Sequence, residues 1–251
     1  MFKYLRAVIK KILRQFYLKY QNPAKDPHET LLGIKDLNIS SILDVGANTG
    51  QFAREIIRIF PNAKLYCFEP LPEAFIDLGK WAKKNNVQVE TFNIAIGDKM
   101  GNVDMYYHTE HSPSSSLLHS TKLTSETYPF TETQKKISVT VETLDNVFKD
   151  KYDSICTDVL IELDVQGFED RVIRGGRKVF SMAKAVILEV CLDSLYEQQA
   201  KFSDIVLLLD NYGFNYVGNK EQVYGNDGHV IFLDACFVKR NEMPLTEHKN
   251  D

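Results

Sequence analysis

Long apolar runs are missing from this chain, and nowhere do the ~18–20 consecutive apolar residues of a membrane-spanning helix occur. The N-terminus is basic but has neither the apolar core nor the small-residue cleavage site of a secretory signal, so the expected location is the cytoplasm. Cysteine is sparse. Cys67, Cys156, Cys191 and Cys236 stand far apart without C-x-x-C spacing, which argues against zinc ligation. They read as small buried hydrophobes in a reducing compartment. Basic charge is not in excess either. The 30 Lys and Arg against 34 Asp and Glu give a formal net charge of −4, unlike a typical duplex binder. No basic patch interleaved with aromatics occurs outside the first 20 residues, so no nucleic-acid partner is expected. Nucleophile-elbow, Walker and kinase motifs are absent, as are internal repeats and low-complexity tracts. The single tryptophan, Trp81, reads as a helix packing residue. What remains is 251 residues, 44% hydrophobic and 25% charged, which suits one α/β domain with a small addition.

Basic charge gathers in one place. Residues 1–20 carry Lys3, Arg6, Lys10, Lys11, Arg14 and Lys19 and no acid, interleaved with Phe2, Leu5, Val8, Ile9, Ile12, Leu13, Phe16 and Tyr17. This predicts a basic amphipathic helix. It either lies on an anionic membrane as a peripheral contact, meeting a lipid-linked substrate, or packs over the open end of a sheet. A polar stretch with prolines, Gln21–Thr30, follows as a linker. The expected organisation is therefore an N-terminal helix and linker over 1–30, the main domain over 31–240 and a polar tail over 241–251.

From about residue 31 strand and helix patterns alternate, which argues a mostly parallel sheet with helices on both faces. Strands are predicted at Ser41–Val45, Lys64–Phe68, Val87–Asn93, Cys156–Leu163, Ala185–Val190, Asn215–Gly218 and Val230–Val238, with short extra strands at Val103–Tyr107 and Lys136–Val141. Helices are predicted at Phe52–Phe60, Ala74–Lys84, Phe168–Phe180 (interrupted at Gly175-Gly176) and Phe202–Tyr212. Glu110–Thr133 is rich in Ser and Thr and reads as a long loop, of the kind that is usually functional or disordered.

The most informative stretch is Ser-Ile-Leu-Asp-Val-Gly-Ala-Asn-Thr-Gly at 41–50. An apolar run ends in Asp44; Gly46, Ala47, Asn48 and Gly50 then let the backbone turn sharply and approach a ligand, and a helix follows. Such a turn at the carboxyl end of a strand is where open α/β sheets bind nucleotide-like cofactors. The spacing is D-x-G-x-x-x-G rather than the G-x-G-x-x-G of dinucleotide sites, which points to S-adenosylmethionine (SAM). Glu69, 25 residues after Asp44 and at the end of the second strand, suits the ribose hydroxyls. Asp44 suits the positive ammonium or sulfonium side, and Asn93 and Ala95 lie where an adenine ring would be sandwiched.

These residues, with Phe68-Glu-Pro70, Asn93-Ile-Ala-Ile-Gly-Asp98, Ser115-Ser-Leu117, Thr143-Leu-Asp145, Leu163-Asp-Val-Gln-Gly-Phe-Glu169, Gly175-Gly176 and Asp234-Ala-Cys-Phe-Val238, resemble the FkbM family of SAM-dependent methyltransferases. The resemblance spans about residues 41–238. It implies a Rossmann-like seven-stranded sheet with an antiparallel last strand, to which the patterns read above add an N-terminal helix and a small β insertion, and methyl transfer to a hydroxyl of a sugar, glycan, glycolipid or secondary metabolite. One departure is Glu162, where the family usually has lysine.

For the transfer, Asp164 is the first candidate base and Glu189 the second, each at a strand end. Glu162 shares a face with Asp164 by strand alternation, and a pair of acids there would carry raised pKa values or recruit a cation. Glu169 reads as structural, in the first turn of a helix whose dipole favours negative charge. Ser115 and Ser116 are candidates for the acceptor side, with His229 before the last strand. His108, His111 and His119 do not share one helix face, and no metal site is expected. An N-methyltransferase, or a degenerate SAM-binding scaffold, is the alternative. The acceptor is expected to be a small molecule or glycan; no oligomeric state is legible.

Overall fold

The computed structural model describes residues 26–242, apart from 86, 156 and 157. The amphipathic helix expected over 1–20, most of the linker, Cys156 and the tail from 243 lie outside the described residues.

Helix α1 (Pro27–Thr30) leads into a 3-10 segment, Leu31–Asp36, that buries Leu31 and Ile34. The alternation then runs β1 (Ser41–Val45), α2 (Gln51–Ile59), β2 (Lys64–Phe68), α3 (Pro72–Asn85) and β3 (Val89–Phe92). A smaller unit follows, with β4 (Ala95–Ile96), β5 (Gly101–His108), α4 (Lys122–Thr127), β6 (Gln134–Glu142) and α5 (Leu144–Val147). The large sheet resumes with β7 (Val159–Leu163), α6 (Glu169–Gly175), α7 (Arg177–Met182), β8 (Ala183–Cys191), α8 (Phe202–Asp210), β9 (Phe214–Tyr224) and β10 (Val230–Lys239). Seven strands form one sheet in the order β3-β2-β1-β7-β8-β10-β9, and β10 runs antiparallel to both neighbours. β4, β6 and β5 form a separate three-stranded sheet. This is the Rossmann-like sheet expected from the sequence.

The central strands are apolar on both sides because both faces are covered. Leu43 and Val45 of β1 face one core, with Val172 and Ile173 of α6, Val179 and Phe180 of α7 and Ile205 and Leu209 of α8. Ile42 faces the other, with Leu31, Ile34, Ala53 and Ile56 of α2 and Leu78 of α3. Each fully buried side chain of this size contributes about 1.5–3 kcal/mol. Cys67, Cys191 and Cys236 are buried within β2, β8 and β10. Among the described residues no helix is long and apolar enough to cross a membrane.

Some boundaries differ from the sequence expectation for identifiable reasons. Ala95–Ile96 does not end the third strand but pairs in parallel with Val141–Glu142 in the small sheet. β9 continues through polar Asn219, Lys220, Glu221 and Gln222, because it is an edge strand held by β10 and only half-buried. The 110–133 stretch is ordered into α4 and two 3-10 turns. The helix predicted over 168–180 is broken where expected, at Gly175-Gly176, into α6 and α7. A Cβ on Gly175 would sit 1.9 Å from the Gly97 carbonyl oxygen, so the break lets the pair seat against the turn after β4.

Candidate active site

Strand pairing alone assembles the centre of the site. Asp44 lies beside Glu162 across β1 and β7, and Glu189 lies beside Asp234 across β8 and β10. With Asp164 one step beyond the end of β7, alternation puts all five carboxyls on one face of the sheet, near the carboxyl ends of its parallel strands. Crowded and desolvated, they favour the neutral form. Burial pushes Asp44 up to about 7, helped by Asp164 and Glu69 and opposed by a hydrogen bond with Glu162. Burial also drives Glu162 well above the carboxylate range, with Asp44, Asp164 and Asp234 adding repulsion and Lys220 opposing it.

The turn after β1 lies against this row. Gly46 has φ +95°, and a Cβ there would sit 2.0 Å from the Asp164 carbonyl oxygen. Asn48 is also left-handed, with φ 44°, and its N–H donates to Glu69 Oε2 at 2.8 Å. Leu71 N–H donates to Glu69 Oε1 at 2.7 Å. These two donors partly offset the burial that raises Glu69 to about 7. Gly50 caps the start of α2 at φ 90°. The turn and the acidic row border a cleft of about 240 Å³, lined by Asp44, Gly46, Ala47, Asn48, Glu69 and Asp164 but not Gly50, with apolar walls from Phe68, Leu71, Ile94, Ala95, Ile96 and Phe168.

These residues fit SAM. Asp44 Oδ1 is a buried oxygen with no hydrogen-bond partner, a place for a cationic donor. Glu69 is fixed by two backbone amides and its remaining lone pairs are free for a diol. The Gly46 turn brings bare backbone to the cleft, and the apolar wall suits a flat base. Asn93 does not line the cleft; its side-chain amide donates to the carbonyls of Glu69 and Pro70, at 2.9 and 3.0 Å, and holds the strand-end turn.

A second cavity opens on the other side of Asp164. It is lined by Asp164, Gln166, Glu189, Tyr196, Ser114 and Thr124, with His111, Tyr128, Phe130, Leu195 and Phe232 as its aromatic and apolar wall. Asp164 therefore borders both spaces. Gln166, held at φ 54°, donates through Nε2 to Asp164 Oδ1 at 2.6 Å and to Glu189 Oε1 at 2.5 Å. Its Oε1 lies 2.6 Å from the Tyr196 hydroxyl, which also reaches the Ser114 carbonyl at 2.9 Å. Burial raises Asp164 only to about 6, because the Gln166 amide favours the carboxylate. Glu189 is driven well above its usual range by burial and by repulsion from Asp164 and Asp234, which the same amide opposes.

Ser115 and Ser116 line the cofactor cleft, but their hydroxyls are committed to the main chain. Ser115 Oγ accepts from His108 N–H at 3.1 Å. Ser116 Oγ donates to the Gln166 carbonyl at 2.8 Å and accepts from Leu118 N–H at 3.0 Å. His229 is part-exposed in the β9–β10 turn, where Asp193 and Asp227 raise its pKa, and it lines neither cavity. The structure adds Gln166, Tyr196 and Lys220 to the sequence-derived set. Gln166 stood inside the D-V-Q-G-F-E stretch, whereas Tyr196 and Lys220 had no local signal.

Comparison with known proteins gives the family. Residues 44–216 match the model of the methyltransferase FkbM domain. The 2-O-methyltransferase NoeI of Sinorhizobium fredii is 29% identical over 213 residues, covering 80% of this chain and 84% of that protein. The 31-O-demethyl-FK506 methyltransferase FkbM of Streptomyces tacrolimicus is 24% identical over 211 residues, covering 76% and 78%. A crystal structure of an FkbM methyltransferase from Methylobacillus flagellatus aligns with a TM-score of 0.49 and 11% identity, over 82% of this chain and 47% of that one. The chain belongs to the FkbM family of methyltransferases, and its cofactor is S-adenosylmethionine.

Proposed function

We propose that this methyltransferase methylates a hydroxyl oxygen of a small-molecule or glycan acceptor held in the second cavity, and that Asp164 receives the hydroxyl proton. The observation that carries the reading is that Asp164 lines both the cofactor cleft and the second cavity. The printed names of two relatives, a 2-O-methyltransferase and a 31-O-demethyl-FK506 methyltransferase, support oxygen as the methylated atom.

Bound SAM supplies an activated methyl group on a positively charged sulfur. The chain has to position the partners and manage one proton. Glu69 accepts hydrogen bonds from the ribose, Asp44 faces the cationic amino acid portion, and Ile94 and Ala95 enclose the base. Gly46, Ala47 and Asn48 present backbone along the cofactor, with Gly50 starting the helix beyond. Asn93 keeps Glu69 in place through the strand-end turn. Asp164, at about 6, is mostly ionised at pH 7 and able to accept a proton. Ser115 and Ser116 shape the wall of the cofactor cleft. Any membrane contact of residues 1–20 would deliver the acceptor rather than take part in transfer.

The test is a labelled-SAM transfer screen over glycans and lipid extracts, with the methylated atom identified by mass spectrometry. In Asp164→Asn, SAM binding is expected to persist while turnover falls by about 10²–10⁴-fold, the usual worth of a general base. Unchanged turnover removes Asp164 from that role. Label on nitrogen replaces the hydroxyl reading, and SAM binding without transfer to any acceptor identifies a scaffold.

A further inference from the structure

We infer that Lys220, reaching in from β9, is the cation that holds the carboxylate of the SAM amino acid portion. The inference rests on the cofactor orientation given above and not on the hydroxyl reading. It extends the cofactor site to an edge strand that contributes none of the lining of the cleft.

The orientation sets where that carboxylate goes. With the ribose on Glu69 and the base between Ile94 and Ala95, the amino acid portion runs past Asp44 to the other end of the cleft. Gln51, Phe52 and Glu162 form the wall there. The amino acid portion carries an ammonium and a carboxylate, and the ammonium suits Asp44. The carboxylate has no such partner: among the described residues no lysine, arginine or histidine lines the cleft. The Ala53 amide in the first turn of α2 is already bonded to Asp44. A positive side chain therefore has to reach the carboxylate from behind the wall.

Lys220 is placed for this. Its ammonium lies 5.9 Å from the centroid of the Phe52 ring, the same ring that walls the cleft, and donates to Glu55 Oε2 one turn along α2 at 3.2 Å. Only 9% of the Lys220 side chain is exposed, so the ammonium sits under α2 rather than in water. Its charge acts on Glu162, which lines the cleft, and on Asp234 behind it. Yet the ammonium is thinly compensated. Glu55 is 46% exposed, where an ion pair is worth little, and burial holds Glu162 neutral. A ligand carboxylate at the end of the cleft supplies the missing negative charge. Three donors on a flexible four-carbon stem let Lys220 keep Glu55 while it reaches the ligand.

The experiment is calorimetry on the full chain at pH 7 with two ligands, SAM and decarboxylated SAM. The second keeps the sulfonium and the ammonium and lacks only the carboxylate. Lys220→Met is expected to weaken SAM by about tenfold or more, the worth of one charge-assisted hydrogen bond. It is expected to leave decarboxylated SAM bound as tightly as by wild type, which also shows that the variant is folded. Glu55→Gln removes the ion pair and keeps the ammonium, so SAM affinity is expected to persist. Unchanged SAM affinity in Lys220→Met overturns the inference. So does an equal loss of both ligands in that variant, or a loss of SAM in Glu55→Gln as large as in Lys220→Met, because either makes Lys220 a tie between β9 and α2. Glu69→Gln separates the inference from the orientation beneath it. Weaker binding of both ligands upholds the orientation, whereas no effect on either overturns the orientation and the inference with it.

Discussion

Gly46 is where one atom matters most. At φ +95° any side chain is strained, and a Cβ would also stand 2.0 Å from the Asp164 carbonyl oxygen. Gly46→Ala is therefore expected to cost on the order of 3 kcal/mol and to weaken SAM binding, read by denaturation and calorimetry. A variant of wild-type stability and affinity would mean that the turn can move. Glu69 and Asp44 govern a second expectation. Both are raised to about 7 by burial, and both serve the cofactor best as carboxylates. SAM affinity should rise as pH rises through 7, by on the order of tenfold between pH 6 and 8 for each of the two carboxyls, and Glu69→Gln should leave only the Asp44 part of the rise. At this scale the sequence displayed Asp44, Glu69 and Asp164 through their positions at strand ends. The bridging role of Gln166 was hidden, because it depends on a left-handed backbone and on Glu189 arriving from another strand.

At the scale of elements, α6 illustrates competing forces. A first-turn carboxylate is favoured by the helix dipole, and Glu169 Oε1 does accept from Gly167 N–H at 2.9 Å. Burial is the stronger effect and raises Glu169 to about 8. Its pKa is thus higher folded than unfolded, so the native chain holds a proton that the unfolded chain releases above about 4.5. Wild-type stability from this group declines as pH climbs from 4.5 toward 8. Glu169→Gln should match wild type near pH 4 and gain steadily above it. Each kcal/mol gained would appear as about 2–4 °C in Tm. An advantage that does not grow with pH would contradict the assignment. β1 and β2 were legible to the residue because apolar runs ended in turn chemistry. The 110–133 turns were not: elements of three to six residues are too short to show a period. Two-residue β4 exists only through pairing with β6, about 45 residues on, and the polar part of β9 only through its hairpin with β10.

For the whole molecule, the cofactor cleft draws all its lining from residues 44–168. Removal of residues 1–20 should leave SAM affinity unchanged by calorimetry while reducing sedimentation with anionic liposomes. Equal pelleting of both chains would reject a membrane role for that segment, and a loss of SAM affinity would make it part of the catalytic unit. A mostly parallel sheet was legible in the alternating patterns; its seven strands and antiparallel last strand came with the family resemblance. The acidic row across four strands was not, since it depends on register, which only pairing sets.

The seam between Gly46 and Asp164 also bears on redesign. Its spacing is fixed by main chain against main chain, with no rotamer to adjust, so on the proposed mechanism donor and base are aligned before any acceptor arrives. The far wall, where Tyr128 and Phe130 sit on the ordered 110–133 segment, can then be rebuilt for a new acceptor while the reacting geometry stays as it is. On the proposed mechanism, substrate range belongs to a detachable rim and rate to the frame.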